Sequence, residues 1–401
     1  MRREAYRLGA ALALVLVTAL VACAGGDEVG DPAGETTDPT GDASANAGDA
    51  AGGDAAAEDA GDAALAMLCS MHGWCAPEVP DPAPTFVDLW PLATTAFAVS
   101  TNGLLQVEGD RWGYVNDRVP FARAVWAATP DDVWVAGQYG RVVHGVRAGG
   151  AWTWTEEHLG EDRTLAAIWG SGSNDVYVLD EQRISHRVAQ PDGSFSWREE
   201  LKDELPDDVD PANAWSHQRR LAAIGGTSAG DVWISGWRGA SCRYLAHKFQ
   251  GEYAVVADCA IECTDGAGCS GVSRAPTYFD RIHPNAELYT PSVGRAVSFS
   301  GIDLVRFVRE AAGTYAVERF ELTGWPAYSQ SIWGASDTEL YVGARAQVVH
   351  TGDARPDGGA LAVTSIAVNG APLRADFRVR GTSTANVWAF GGRYAVHKTK
   401  P

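Results

Sequence analysis

From about residue 85 onward, apolar residues fall in short runs rich in Val, Ile, Leu and aromatics, each closed by a cluster of Gly, Ser, Thr, Asn and Asp. Such runs between such clusters are β-strands joined by tight turns. Residues 166–188 read AAIWGSGSNDVYVLDEQRISHRV, residues 330–352 read QSIWGASDTELYVGARAQVVHTG, and residues 377–399 read FRVRGTSTANVWAFGGRYAVHKT. The three align without a gap. Each holds an apolar run, a polar turn, a second β-rich run, a Gly-containing turn and a third run ending in His. A fourth strand is expected at residues 151–157, 194–200 and 314–320. No apolar stripe of helical spacing follows the first 22 residues.

The unit recurs. A Trp or its substitute stands eight residues before a closing aromatic at Trp126 and Trp134, Trp169 and Tyr177, Gly225 and Trp233, Trp333 and Tyr341, and Arg380 and Trp388. Two residues before each closing aromatic comes Asp132, Asp175, Asp231, Glu339 or Asn386. Nine residues after it comes His186, His350 or His397, while His144 follows at ten and His247 at fourteen, as a longer hairpin requires. Two fainter copies are Leu89, Phe97 and Gln106, and Arg281, Tyr289 and Ser298, with Glu287 in the acid slot. Units of roughly 40–50 residues with four strands each are β-propeller blades. The chain is therefore predicted to be all-β, with a seven-bladed β-propeller of four-stranded antiparallel blades over residues 85–401. A linear solenoid would need capping repeats, and none is visible. The last unit ends after three strands, so a strand from elsewhere must complete it, and residues 84–89 are the expected donor.

A ring of His on diverging blades cannot converge on one metal ion. The His, the hairpin acid and the Trp are instead expected to satisfy one another inside each blade. Trp126, Trp134, Trp169, Trp233, Trp333 and Trp388 are read as packing residues.

The start of the chain has a different character. Arg2, Arg3 and Arg7 precede an apolar run too short to span a membrane, so residues 1–22 read as a signal peptide. The run ends Leu20-Val21-Ala22-Cys23, which resembles a bacterial lipobox and implies a diacylated Cys23 as the membrane anchor. Residues 23–65 are Gly-, Ala- and Asp-rich and read as a disordered tether. Thirteen acidic and no basic residues lie between Ala24 and Thr85, so most of the net charge of −19 belongs to that stretch. Nothing concentrates basic charge, which argues against nucleic acid. Ala24 and Gly25 follow Cys23 without an Asp retention signal, which points to the outer rather than the inner membrane of a cell envelope.

Six further cysteines, Cys69, Cys75, Cys242, Cys259, Cys263 and Cys269, suggest three disulfides in an exported protein. Cys69 and Cys75 sit in an N-terminal segment, residues 66–84, and pair by proximity. The other four fall in or beside a Cys-rich insertion at about 237–276. A zinc site at Cys259, Cys263 and Cys269 is the rival reading, and an oxidising compartment disfavours it. No cofactor or metal is implied.

The units resemble the W-G-x-x-x-x-D-V-W-x-x-G-x-x-G-x-x-x-H repeats of bacterial exported lipoproteins, especially those of myxobacteria. More distantly they are similar to Asp-box, photosystem-assembly-factor and kelch propellers. The resemblance implies the fold and leaves the activity open, because propellers host binding, scaffolding and catalysis alike.

Function is sought where the repeat breaks. Trp215, His217, Arg219 and Arg220 lie just before unit four, Trp237 and Arg238 within it, and Trp325 outside the pattern. Arg beside Trp suits a glycan, a carboxylate or a protein hot spot. The first expectation is a monomeric, non-enzymatic binding or scaffold module, tethered by its lipid, with a protein or glycan ligand. No nucleophile, base and acid constellation is legible, so no catalytic residue is assigned. The alternative is a polysaccharide hydrolase or lyase, which needs paired carboxylates with one pKa raised. Asp280, Asp303 and Glu310 are available but not singled out. A calcium-assisted enzyme using Asp258 and Asp265 is the third reading, and the spacing does not match a calcium loop.

Overall fold

A computed structural model describes residues 68–399 apart from 71, 120, 161, 203–218, 239–241, 259–287, 301–302, 322–328, 337, 353–360 and 369–370. One compact unit spans Ala63–Pro401. It is a seven-bladed β-propeller in which each blade is an antiparallel sheet of at least four strands, running from an inner to an outer strand. Blade one comprises Phe86–Pro91, Ala96–Ser100, Gly103–Glu108 and Arg111–Asn116. Blade two comprises Ala122–Thr129, Asp132–Gly137, Arg141–Ala148 and Ala151–His158. Blade three comprises Ala167–Gly172, Asp175–Leu179, Arg183–Ala189 and Phe195–Lys202. Blade four comprises Arg219–Ser228, Asp231–Arg238, Cys242–Phe249 and Glu252–Asp258. Blade five comprises Leu288–Tyr289, Arg295–Ser300, Asp303–Arg309 and Tyr315–Glu321. Blade six comprises Ser331–Gly334, Leu340–Ala344, Gln347–Thr351 and Leu361–Ser365. Blade seven is built on Arg378–Ser383, Asn386–Gly391 and Tyr394–Lys398. Among the described residues the sole helical turn is Gln138–Gly140, and no helix is long and apolar enough to cross a membrane.

The fourth strand of blade seven is Trp74–Ala76, antiparallel to the last strand, with Trp74 opposite Lys398 and Cys75 opposite His397. This corrects the expected donor at residues 84–89. Those residues lead into the inner strand of blade one, where the Phe86 N–H donates to the Gly392 carbonyl at 2.7 Å. Leu68–Cys69 adds a fifth strand to blade seven, and the predicted Cys69–Cys75 disulfide ties it on. Within the segment at residues 66–84, Leu68–Cys69 and Trp74–Ala76 are thus strands of blade seven.

Cross-strand register explains the eight-residue spacing. Trp126 lies opposite Trp134, Trp169 opposite Tyr177, Gly225 opposite Trp233, and Arg380 opposite Trp388. In each of these blades a β-bulge follows the inner residue and adds one position to the hairpin. Blade one lacks that bulge, so Phe97 faces Trp90, seven residues earlier, and not Leu89. Blade five differs more. Tyr289 is in its inner strand opposite Val297, and Val297 is opposite Arg306. Tyr289 therefore fills the inner slot, Val297 the closing-aromatic slot and Arg306 the His slot, while Ser298 faces Leu288 and Val305. The spacing rule admits Tyr289 in either role, and without a Trp or His to anchor the copy it is one strand out of phase.

Inner-slot side chains seat on the following blade. A Cβ built on Gly170 would lie 2.8 Å from the Trp126 ring, one on Gly226 2.8 Å from Trp169, and one on Gly381 2.8 Å from Trp333. Where blade four has Gly225 in place of the Trp, blade five has Thr290 in place of the Gly, and a Cβ built on Gly225 would lie 3.7 Å from the Thr290 hydroxyl. Size is exchanged across the joint and contact is kept, as close packing demands. The joint between blades seven and one is charged instead. Arg380 lies over the Trp90 ring at 5.3 Å and donates to Asp88 Oδ1 at 3.1 Å. The other oxygen of the buried Asp88 accepts the Val125 N–H of blade two at 3.1 Å.

Gly226→Ala is expected to lower stability by about 1–3 kcal/mol, because the new methyl meets both the Asp231 carbonyl and Trp169. Gly230→Ala, with nothing within 4 Å of its Cβ, is the control and should change little. Urea melts of the two variants check this, and equal midpoints would refute the seating.

Candidate functional site

Each of the five His predicted to lock a blade stacks on the aromatic opposite it, and four of them also make the expected hydrogen bond to the hairpin residue. Ring centroids are 3.7 Å apart for Trp134 and His144, 4.0 Å for Tyr177 and His186, and 3.9 Å for Trp233 and His247. They are 4.3 Å for Tyr341 and His350 and 4.5 Å for Trp388 and His397. The Nε2 atom meets the hairpin acid, at 2.9 Å from Asp132, 2.7 Å from Asp175 and 2.7 Å from Asp231. In blade seven the partner is the Asn386 Oδ1 at 3.0 Å, and in blade six Glu339 stands 3.3 Å away without hydrogen-bond geometry. The different spacings of His144 and His247 lead to the same place in the ladder. Among the described residues no cluster of His, Cys, Asp and Glu is placed to hold a metal ion.

The residue after the His points to the other face of its sheet, toward the aromatic of the preceding blade. In blades three, four and seven it is a cation: Arg187, Lys248 and Lys398. Directly opposite each on the outer strand is an aromatic: Trp197, Tyr253 and Trp74. Arg187 and Lys248 meet a glutamate from the outer strand of the blade before. Arg187 lies 3.8 Å from Glu157, whose other oxygen accepts the Trp197 indole N–H at 2.6 Å. Lys248 donates to Glu200 at 2.5 Å, and Tyr253 donates to the same oxygen at 2.9 Å.

The second oxygen of Glu200 meets His186 Nδ1 at 2.8 Å and Arg198 at 2.6 Å. Burial opposes ionisation of Glu200, but the bonds from His186, Lys248 and Arg198 outweigh it and hold its carboxyl far below the usual range. Asp175 is treated likewise by His186 and Ser171. Burial pushes the Tyr177 and Tyr253 hydroxyls well up. The arrangement resembles a catalytic cluster in composition. Glu200 and Lys248 are nevertheless buried and bonded to their neighbours, and the resolved carboxyl shifts among the described residues all run downward.

The third cleft of this kind, between blades six and seven, is open. A cavity of about 620 Å³ there is lined by residues that include His72, Trp74, Glu339, Tyr341, His350, Thr364 and Lys398. Burial pushes His350 and Lys398 down, although Glu339 acts the other way on both. Burial pushes the Tyr341 hydroxyl up to about 12.

The residues singled out from sequence lie elsewhere. Arg220 is directly opposite Trp237, and Trp237 opposite Arg243, at the end of blade four that carries the turn between its second and third strands. The cavity is at the other end of the ring, beside the turns between first and second strands. Arg219 and Arg238 are also paired across strands, although only their backbone is described. The same holds for Cys242, Asp258 and Asp303. Trp215, His217, Trp325, Cys259, Cys263, Cys269, Asp265, Asp280 and Cys23 lie outside the described residues, as do the signal and tether. Glu310 is exposed and accepts the Thr314 hydroxyl at 2.6 Å. The cavity was missed because its signal is relational: a cation after the His, and no Glu on the outer strand before it.

No family profile and no curated protein sequence matches this chain. Solved structures do. Virginiamycin B lyase from Staphylococcus aureus, in a catalytically inactive form with quinupristin, is 10% identical at a TM-score of 0.54 over 80% of this chain and 97% of its own. YCF48 from Cyanidioschyzon merolae is 12% identical at a TM-score of 0.55 over 82% of this chain and 99% of its own. YCF48 bound to D1 peptide is 12% identical at 0.55 over 84% and 99%. At this distance the likeness establishes the propeller fold alone.

The locks titrate in opposite directions. Burial disfavours the His186 cation, but Asp175 and Glu200 together raise its pKa above the ordinary value of 6.5. Its contribution is full below about pH 6.5 and is lost as pH rises through the raised pKa. Burial lowers His397, whose partner Asn386 carries no charge, and lowers His350. Their contribution is full above about pH 6.5 and is lost as pH falls through the lowered pKa. In an NMR titration His186 should protonate at a higher pH than His397, and Asn386→Asp should raise His397 selectively. The reverse order would refute this account of the locks.

Proposed function

We propose that the chain is a lipid-anchored cell-envelope protein whose propeller is a binding module, with the cleft between blades six and seven as its ligand site. The observation that carries the binding reading is the open, partly aromatic cavity in a ring whose comparable clefts are filled by their own side chains. Ligand pockets combine apolar walls with a few convergent polar groups, and Trp74, Tyr341, His350 and Lys398 are such a set. An acid–base enzyme would need a carboxyl raised toward neutrality, whereas the resolved shifts run downward. One structural neighbour is a lyase and another holds a peptide, so the shared ring favours neither reading. The anchor rests on the lipobox-like Leu20-Val21-Ala22-Cys23 and the acidic, Gly-rich stretch after it. An outer-membrane position rests on the absence of Asp after Cys23.

Cys23→Ala is expected to abolish incorporation of an alkyne-tagged palmitate in a bacterial host and move the protein from the membrane to the soluble fraction. Persistent labelling of that variant would remove the anchor from the reading. The purified propeller, immobilised and offered envelope extract, should retain a component that is eluted chemically unchanged. A component released as cleaved product would favour the enzyme alternative.

A further inference from the structure

We propose that Phe121 and Tyr139 form a docking surface for an acidic peptide segment bearing an aromatic or proline side chain, at the end of the ring opposite the cavity. Phe121 lies in the crossing from blade one to blade two, between Arg111–Asn116 and Ala122–Thr129. Tyr139 lies in the turn between the second and third strands of blade two. The antiparallel order brings both to the same end of the blade. Their rings meet edge to face, with centroids 6.0 Å apart and planes at 87°. They are the most exposed aromatic side chains among the described residues, at 59% and 56%. This surface is separate from the cleft between blades six and seven and does not rest on it.

The backbone beneath the rings is strained. Phe121 has φ 61° and Tyr139 φ 59°, in the left-handed region that bulky side chains rarely adopt. The fold does not require aromatics there. The turn between second and third strands is left-handed in blades six and seven as well, where it uses Ala346 and Gly392. Burial does not compensate either, since more than half of each ring meets solvent. Strain retained at exposed side chains points to a role outside the packed core.

Neighbouring backbone holds the conformation. The Gln138 N–H donates to the Phe121 carbonyl at 3.2 Å, and the Gly140 N–H to the Arg163 carbonyl at 2.7 Å. The Gly140 carbonyl accepts the Leu159 N–H at 2.9 Å, and the Gly137 carbonyl accepts the Leu165 N–H at 2.9 Å. A Cβ on Gly137 or Gly140 would strike the carbonyl of Phe121 or Gly160. The turn is thus wedged between the crossings on either side of blade two. Rings held this way are presented at low ordering cost.

The geometry also selects the occupant. Two rings at right angles leave a corner, not the flat face on which a sugar ring stacks. A corner takes the edge of another aromatic ring or a proline. Arg118 and Arg123 flank Phe121 along the chain, the first exposed and the second half-buried. Neither guanidinium has a partner among the described residues, and Arg118 bonds only through its backbone N–H and carbonyl. Arginines beside exposed aromatics are the composition of a protein-binding hot spot, and the guanidinium fork matches a carboxylate. A discrete peptide can place its carboxylates away from the exposed Asp117, which a continuous anionic lipid surface cannot.

The mature chain carrying Cys23→Ala keeps lipid out of the measurement. A fluorescein-labelled Glu–Tyr copolymer should bind it saturably by anisotropy, and polyglutamate at least about tenfold more weakly. Phe121→Gly and Tyr139→Gly should each weaken the copolymer at least about tenfold, as loss of a hot-spot ring does. Both should melt no lower than the parent, because glycine relieves the left-handed backbone. Arg118→Gln should weaken the copolymer and flatten its dependence on NaCl without altering the melt. A glycine variant that melts below the parent would make its ring structural and overturn the inference, as would one that binds the copolymer as the parent does. Failure of the parent to bind the copolymer also overturns it. Should the parent then retain phosphatidylglycerol vesicles, the occupant is a membrane; should it form a dimer that Phe121→Gly abolishes, the occupant is a second copy.

Discussion

The ring is held by a constraint of size at its narrowest radius. Blades packed face to face leave least room where their inner strands approach the axis, so a large side chain on one face demands a small one on the next. Trp126 over Gly170, Trp169 over Gly226 and Trp333 over Gly381 meet that demand directly, and Gly225 with Thr290 meets it with the sizes exchanged. A closed ring must also seat its last blade on its first. There the inner slot holds Arg380, which stacks on Trp90 and ends on the buried Asp88. Asp88 in turn holds the backbone of blade two. Directional bonds at the closing joint resist slippage where apolar packing alone would tolerate it.

Farther from the axis the joints widen and polar groups become affordable in the core. The second-strand aromatic and the His stacked on it form a layer in five blades, with a hairpin acid beside them in four and an amide in the fifth, and its charge is tuned by neighbours. Asp231 accepts from His247, Thr227 and the Gly294 N–H of the next blade, so it joins two sheets while ionised. In blade seven, Asn386 gives the same geometry without a charge and donates to the Leu92 carbonyl of blade one. In blade five, Val297 and Arg306 occupy the layer, with Arg306 paired to Glu318 at 3.0 Å. The repeat thus conserves a shape and an acceptor-or-donor role rather than a residue.

That distinction explains what was legible in the chain. Blade number, the His stacking, the His–Asp bonds of blades two, three and four and the Cys69–Cys75 link follow from local spacing, which side-chain alternation and turn length transmit faithfully. The failures occur where spacing carries too little. Tyr289 satisfies the eight-residue rule from the wrong strand, because no Trp or His nearby fixes the phase. Leu89 stands one place off because blade one lacks a bulge that sequence does not announce. Trp74–Ala76 is too short a strand to be seen as one, and its pairing with Tyr394–Lys398 depends on residues at the far end of the chain. The Arg and Trp residues chosen for binding do meet, Arg220 against Trp237, but on the face opposite the cavity.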